Sequence, residues 1–159
     1  MRRYGMNETR NVLDSSVKMT LTIAKVLATF VEQRAAERKV NAVVAVFNEG
    51  ANPVYTACMD DSYIASFDVA FHKAYTAVAL KMSTIDLKSL AQPGGSLYGI
   101  QHTNAGKIVI FGGGVPLTYH GKILGGLGVS GGTEEQDTAI AEYGRVIFET
   151  IVNTILQQA

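Results

Sequence analysis

The sequence predicts a single domain of mixed α and β structure, an α/β (α+β) fold with a largely antiparallel sheet. Three observations carry this. Segments with helical spacing of apolar residues stand at both ends and in the middle of the chain. The apolar segments between them are short, and most are joined as hairpins. The length, 159 residues, suits one core, so residues 1–159 are read as one domain. Hydrophobic residues make up 47% and charged residues 18%, a balance that buries a core and argues against disorder.

The first helix is expected from Ser15 to Arg38, with Asp14 as N-cap. Its apolar face runs through Val17, Leu21, Ala24, Ala28, Val31 and Ala35, widened by Ile23, Leu27 and Phe30. Asn41 to Phe47 reads as a buried strand. The turn Asn48 to Asn52 leads to a second strand, Pro53 to Cys58, with proline at the start, where its missing N–H does little harm. A second helix is expected over Ser62 to Leu80, with the stripe Ile64, Phe67, Phe71, Ala74 and Val78. Its five alanines, at 65, 70, 74, 77 and 79, thin it enough for another backbone to approach closely. A short third helix covers Ser83 to Leu90, capped by Ser83. The glycine-rich stretch Gln92 to Lys107 reads as a long loop of the kind that often binds ligands.

The last third predicts three strands and a helix. Ile108 to Phe111 is short and apolar and ends at Gly112-Gly113-Gly114. Val115 to Tyr119 and Lys122 to Val129 flank a His120-Gly121 turn. Thr133 opens the closing helix, with Gln136 completing a capping box and a stripe of Ile140, Gly144, Ile147, Ile151 and Ile155. The order is α-β-β-α-α-β-β-β-α, with five strands.

Lys+Arg and Asp+Glu both count 14, and no basic stripe occurs, so nucleic acid is not expected as a partner. Zero net charge and a substantial apolar content favour a homo-oligomer, a dimer or higher, that covers apolar surface. Met1 to Arg10 lacks the apolar segment of a signal peptide, and no run of about 20 apolar residues occurs. No membrane partner is expected, and the expected compartment is the cytoplasm. Cys58 is the single cysteine, which excludes an intrachain disulfide or a cysteine-rich metal site; at the end of an apolar strand it reads as buried and inert.

The candidate binding residues lie at the glycine-paved corners. Gly112, Gly113 and Gly114 stand about one hairpin away from Ser130, Gly131 and Gly132, and the second set leads into the closing helix, where Glu134, Glu135 and Asp137 occupy the first turn. Glycine lets a ligand touch the backbone, and helix-start N–H groups suit anions, but three carboxylates already answer this helix dipole. Two readings stand: tight packed turns, or a ligand site. Asp137, three residues before Ile140, should face the edge of the core and accept N–H groups from one of the glycine turns. His72 has Asp68 four residues earlier, a spacing that suits an oriented imidazole or an ordinary surface or interface pair. Lys73, off the main apolar stripe, reads as solvated or as an intersubunit ion pair. His102 falls in the loop and His120 in a turn. No local metal motif is present. Ser130 imitates a Gly-x-Ser-x-Gly elbow, but no histidine follows residue 120 to complete a hydrolase set.

Lys73-Ala-Tyr-Thr-Ala77, Phe111-Gly-Gly-Gly-Val-Pro-Leu117 and Gly125-Gly-Leu-Gly-Val-Ser-Gly-Gly132, followed by Glu135 and Asp137, resemble GlcG/HbpS-like domains, the C-terminal PduO type. The resemblance spans nearly the whole chain. It implies a profilin-like three-layer α/β/α fold with a five-stranded antiparallel sheet, and dimers or higher assemblies. Some relatives bind haem, and related domains are fused to cobalamin adenosyltransferases or sit among genes of glycolate, propanediol or glycerol use. Haem-binding relatives carry an axial histidine near the first helix. Here the first histidine is His72, so His72 or His102 is the implied ligand. The resulting expectation is a small-molecule-binding protein for haem, a corrinoid or a small organic ligand, accessory to such a pathway. The alternatives are an enzyme acting on a small carbonyl or hydroxy acid, with Asp137, His72 or Lys73 as acid–base groups, and a structural subunit.

Overall fold

A computed structural model of the chain describes residues 16–158. The first described long helix, α1 (Leu21–Glu37), starts where Thr20 turns extended and its hydroxyl accepts from the Ile23 N–H at 3.2 Å. The expected start, Ser15, and cap, Asp14, lie outside the described residues. The buried face is Ile23, Ala24, Leu27, Ala28, Val31 and Ala35, while Leu21 and Phe30 stay exposed.

Strands β1 (Val43–Asn48) and β2 (Pro53–Cys58) form the expected antiparallel hairpin. Its turn is held by the Asn48 side chain, which accepts the N–H groups of Gly50 and Asn52. After helix α2 (Ile64–Ala79) comes the short helix α3 (Thr84–Leu90), capped by Ser83 as expected. Two single 3₁₀ turns follow, Ile100–His102 and Asn104–Gly106. Strands β3 (Gly114–Tyr119) and β4 (Lys122–Ser130) make the second hairpin, and α4 (Glu134–Gln158) closes the chain. The capping box forms: the Gln136 N–H meets Thr133 Oγ1 at 3.2 Å, and the Thr133 N–H meets Gln136 Oε1 at 2.9 Å.

The sheet has four strands in the order β2-β1-β4-β3, all antiparallel, rather than the expected five. The expected strand Ile108 to Phe111 fails because side chains take the N–H groups around it. Val109 donates to Thr76 Oγ1 at 3.0 Å and Gly112 to Glu134 Oε2 at 3.0 Å. The segment is thereby tied to α2 and α4 rather than to the edge of β3.

The layers follow from the period of β1. Val44 and Val46 join the large cluster with α1 and α4, which holds Leu27, Val31, Leu127 and Phe148. Val43, Ala45 and Phe47 face the other way, onto Ala70, Ala74 and Val78 of α2. The sheet is buried on both faces, which explains why β1 reads as a continuous apolar run. The buried face of α2 differs from the expected stripe. Ala70, Ala74 and Ala77 lie against the sheet, whereas Ile64 and Phe67 are exposed. The close approach that the alanines predict does occur: a Cβ added to Gly128 would stand 1.9 Å from the Ala70 carbonyl oxygen, and one on Gly126 would stand 2.6 Å from that of Ala74. Cys58 is exposed rather than buried, because β2 is an edge strand whose two ends reach the surface.

Candidate functional site

The centre of the site is an ion pair between residues 64 positions apart. Lys73 comes from the sheet-facing side of α2 and Asp137 from the first turn of α4. The ammonium donates to Asp137 Oδ2 at 2.9 Å and to the Val129 carbonyl at 2.8 Å. The other carboxylate oxygen accepts the Gly132 N–H at 2.8 Å. Asp137 therefore meets the glycine turn as expected, but its main partner is Lys73. Lys73 is 1% exposed, so the solvated lysine read from the sequence is corrected to a buried one. The cause is its position three residues after Ala70 and four before Ala77, on the face that packs against the sheet. Burial pushes its pKa below the usual lysine value, against the pull of the Asp137 charge and hydrogen bond.

The glycine corners surround this pair unequally. Gly113 has φ +116, and a Cβ there would stand 2.6 Å from Lys73 Nζ and 3.0 Å from Asp137 Cβ. Its lack of a side chain is what lets the ammonium lie against the strand entry. Gly112 and Gly114 are held by their N–H groups, the first on Glu134 and the second on Thr84 Oγ1 at 2.8 Å. Glu134 also binds Lys88, and the hydrogen bonds from Lys88 and Gly112 hold its carboxyl below the usual range. Gly131 turns towards Asn41 and Ala42, where a Cβ would meet the Asn41 carbonyl at 2.4 Å. Gly113, Gly132 and Asp137 thus converge with Lys73 between them, while Gly131 packs against the start of the sheet. The expected open patch is a filled junction. Carboxylates take the Gly112 and Gly132 N–H groups that an anion would use, and a hydroxyl takes that of Gly114.

Open space lies on either side. A cleft of about 570 Å³ runs past Gly113, Gly114 and Pro116 towards Ser83, Thr138 and Arg145. A second, of about 320 Å³, is lined by Asp68, Val69, His72, Gln101, Ile108 and Phe111 among others. Its one imidazole is that of half-buried His72, and Gln101 Oε1 is buried there without a hydrogen-bond partner. Phe111 joins the cleft to the ion pair: Lys73 Nζ lies 5.2 Å from its ring centroid. His72, adjacent to Lys73 in sequence, lies on a different face of α2 and lines the cleft, not the junction.

The remaining candidates separate. His102 is exposed in the first 3₁₀ turn, and His120 is exposed in its hairpin, 3.5 Å from Glu149. Ser130 donates to Ser66 Oγ at 3.3 Å, with no imidazole or carboxylate as its partner in that bond, so it lacks the base of a nucleophile elbow. Among the described residues no three His, Cys, Asp or Glu side chains gather as a metal site. The sequence reading missed the Lys73–Asp137 contact and the Thr76, Thr84 and Lys88 anchors. The signal for Lys73 was present: a lone lysine within an alanine face needs a buried counter-ion, and Asp137 was the acid assigned to the edge of the core.

Comparison with known proteins places this geometry. The family model described as haem degrading protein HbpS-like matches residues 19–145. The chain belongs to the HbpS-like family. It is 47% identical over 124 residues to a 15.0 kDa protein of the dhaT-dhaS intergenic region of Citrobacter freundii, covering 78% of this chain and 87% of that one. It is 45% identical over 109 residues to the corrinoid adenosyltransferase PduO of the same organism, covering 69% of this chain but 32% of PduO. Among solved structures, the Klebsiella pneumoniae protein ORFY superposes with a TM-score of 0.80 at 40% identity, over 84% of this chain and 92% of that one. A PduOC–haem complex superposes at 0.78 and 37% identity, over 82% and 94%. The HbpS-like family thus has solved members of the same fold, one of them holding haem.

Proposed function

We propose that this HbpS-like chain is a small-molecule-binding protein whose ligand is haem, acting as an accessory to diol, glycerol or glycolate metabolism. The cleft beside α2 carries the reading. It joins one half-buried imidazole to walls of Val69, Ile108 and Phe111 and holds an orphaned acceptor, Gln101 Oε1. A planar apolar group with one coordination position fits such a wall. The similarity to a haem-bound relative supports the choice of ligand.

Bound haem would supply an iron centre. His72 would offer it an imidazole nitrogen, and Asp68, four residues earlier on the helix, lines the same cleft. Val69, Ile108 and Phe111 would exclude water from one face. His102, exposed and outside the residues lining the cleft, is the weaker candidate ligand. The exposed stripe Tyr63, Ile64 and Phe67 next to the cleft is the surface this reading assigns to a homo-oligomer contact.

The test is a haem titration followed at the Soret band. A saturable shift is expected in the unaltered protein and in His102→Ala, and its loss or displacement in His72→Ala. No shift in the unaltered protein removes haem as ligand, and an unchanged band in His72→Ala removes His72 as its partner. The same titration with cobalamin addresses the corrinoid version.

A further inference from the structure

The haem reading leaves the most buried charged group among the described residues unused. Lys73 Nζ is fixed from two sides, by Asp137 Oδ2 at 2.9 Å and by the Val129 carbonyl at 2.8 Å. Its remaining surroundings are thin. Towards the smaller cleft stands the single ring of Phe111, itself 42% exposed. Towards the larger cleft stands Gly113, which lines that cleft and has no side chain to interpose. The amine therefore lies between two open spaces, one ring from the first and one glycine from the second.

A purely structural role explains this poorly. A buried ion pair contributes little net stability compared with apolar residues of the same volume. Burial instead favours the neutral amine that attacks carbonyl carbons, and a carboxylate at hydrogen-bond distance is placed to take up and return its proton. Phe111 precedes three glycines, so its ring can turn aside without dragging bulky neighbours out of the core.

We propose that Lys73 captures a small aldehyde or ketone as a reversible imine, with Asp137 as the proton carrier. The ammonium passes one proton to Asp137, leaving a neutral amine and a carboxylic acid. The nitrogen lone pair forms the C–N bond, and the carbonyl oxygen takes up the second proton that nitrogen releases, giving a carbinolamine. Asp137 then returns its proton to the hydroxyl, the C–O bond breaks and water leaves. The product is a protonated imine facing the restored carboxylate, so charge is conserved across the pair. The same pair that holds the amine in place thus also balances the product. The junction around the amine is filled by Asp137, the Val129 carbonyl, Phe111 and the Gly113 backbone, so the substrate class is a few-carbon one.

The experiment is reductive trapping. The full chain is incubated with propionaldehyde and cyanoborohydride at neutral pH, then digested and peptide-mapped. Expected is early alkylation of the peptide holding Lys73, ahead of the exposed lysines. Lys73→Arg should lose that label and keep the surface labels. Phe111→Ala should speed labelling of Lys73 about fivefold, as removal of one aromatic cover over the ammonium allows. A map in which surface lysines are alkylated and Lys73 is not overturns the proposal, and so does equal labelling with and without the Phe111 ring. The wild-type map decides alone if Lys73→Arg fails to fold. Haem is absent from the assay, so failure here leaves the Soret titration untouched.

Discussion

Lys73 and Asp137 are 1% and 3% exposed, and stripping water from two such ions costs several kcal/mol each. Their mutual contact, the Val129 carbonyl and the Gly132 N–H offset that cost only while every partner is present. Removing one charge strands the other. Lys73→Met and Asp137→Asn should each lower unfolding free energy by about 3–5 kcal/mol. The double change Lys73→Met/Asp137→Asn should cost clearly less than the sum, because neither ion is then left alone. Urea denaturation of the four proteins measures this, and additive losses would show that the two residues do not act as a pair. Half of this pair was legible in the sequence. Asp137 precedes the inward Ile140 by one turn, which placed it at the edge of the core. Lys73 falls outside the stripe that the large apolar residues of its helix mark, and it is the small residues that define the buried face.

That inversion belongs to the element α2. Helical spacing in Ile64–Ala79 supports two faces, an aromatic one and an alanine one, and periodicity alone cannot rank them. The ranking comes from the opposite layer. Strand β4 carries Gly126 and Gly128 where it crosses α2, and only a helix face of small residues can approach strand backbone so closely. The large residues are consequently turned outward, with Phe67 stacked on Phe71 at 5.8 Å. The contact makes a sharp prediction. In Gly128→Ala the new Cβ would lie 1.9 Å from the Ala70 carbonyl oxygen and 2.7 Å from the Ala74 N, both backbone atoms that cannot swing away. The helix must move as a unit, and a loss of about 3 kcal/mol or more is expected from overpacking. Gly121→Ala, in the hairpin turn at φ +78 with nothing within 4 Å, meets strain but no clash and should cost about 1 kcal/mol. Thermal melts of the two variants test the order, and equal costs would mean that strand and helix are not in fixed contact.

At the scale of the whole molecule, the edges of the sheet and the face of α2 decide how copies can meet. The order β2-β1-β4-β3 leaves β2 and β3 at the edges. Both are blunted by proline, Pro53 and Pro116, and the Gly114 N–H of β3 is already taken by Thr84. The missing fifth strand belongs to the same economy: side chains of Thr76 and Glu134 bind the segment that would have extended the sheet, and nothing in strand propensity reveals a partner so distant in sequence. Sheet-to-sheet addition is thus disfavoured. Among the described residues the most exposed large apolar side chains stand at the start of α2, where Ile64 is 98% and Tyr63 73% exposed beside Phe67. Covering such side chains yields roughly 25 cal/mol for each Å² removed from water, which makes this face the expected contact of the homo-oligomer proposed above. Light scattering on the eluting protein should give a multiple of the 17.0 kDa chain mass, and the double change Ile64→Asp/Phe67→Asp should return it to one chain with its circular dichroism intact. A wild-type mass of one chain removes the contact altogether. An assembly that survives both aspartates moves it to another face, and then the exposed stripe of α2 has no role in joining copies.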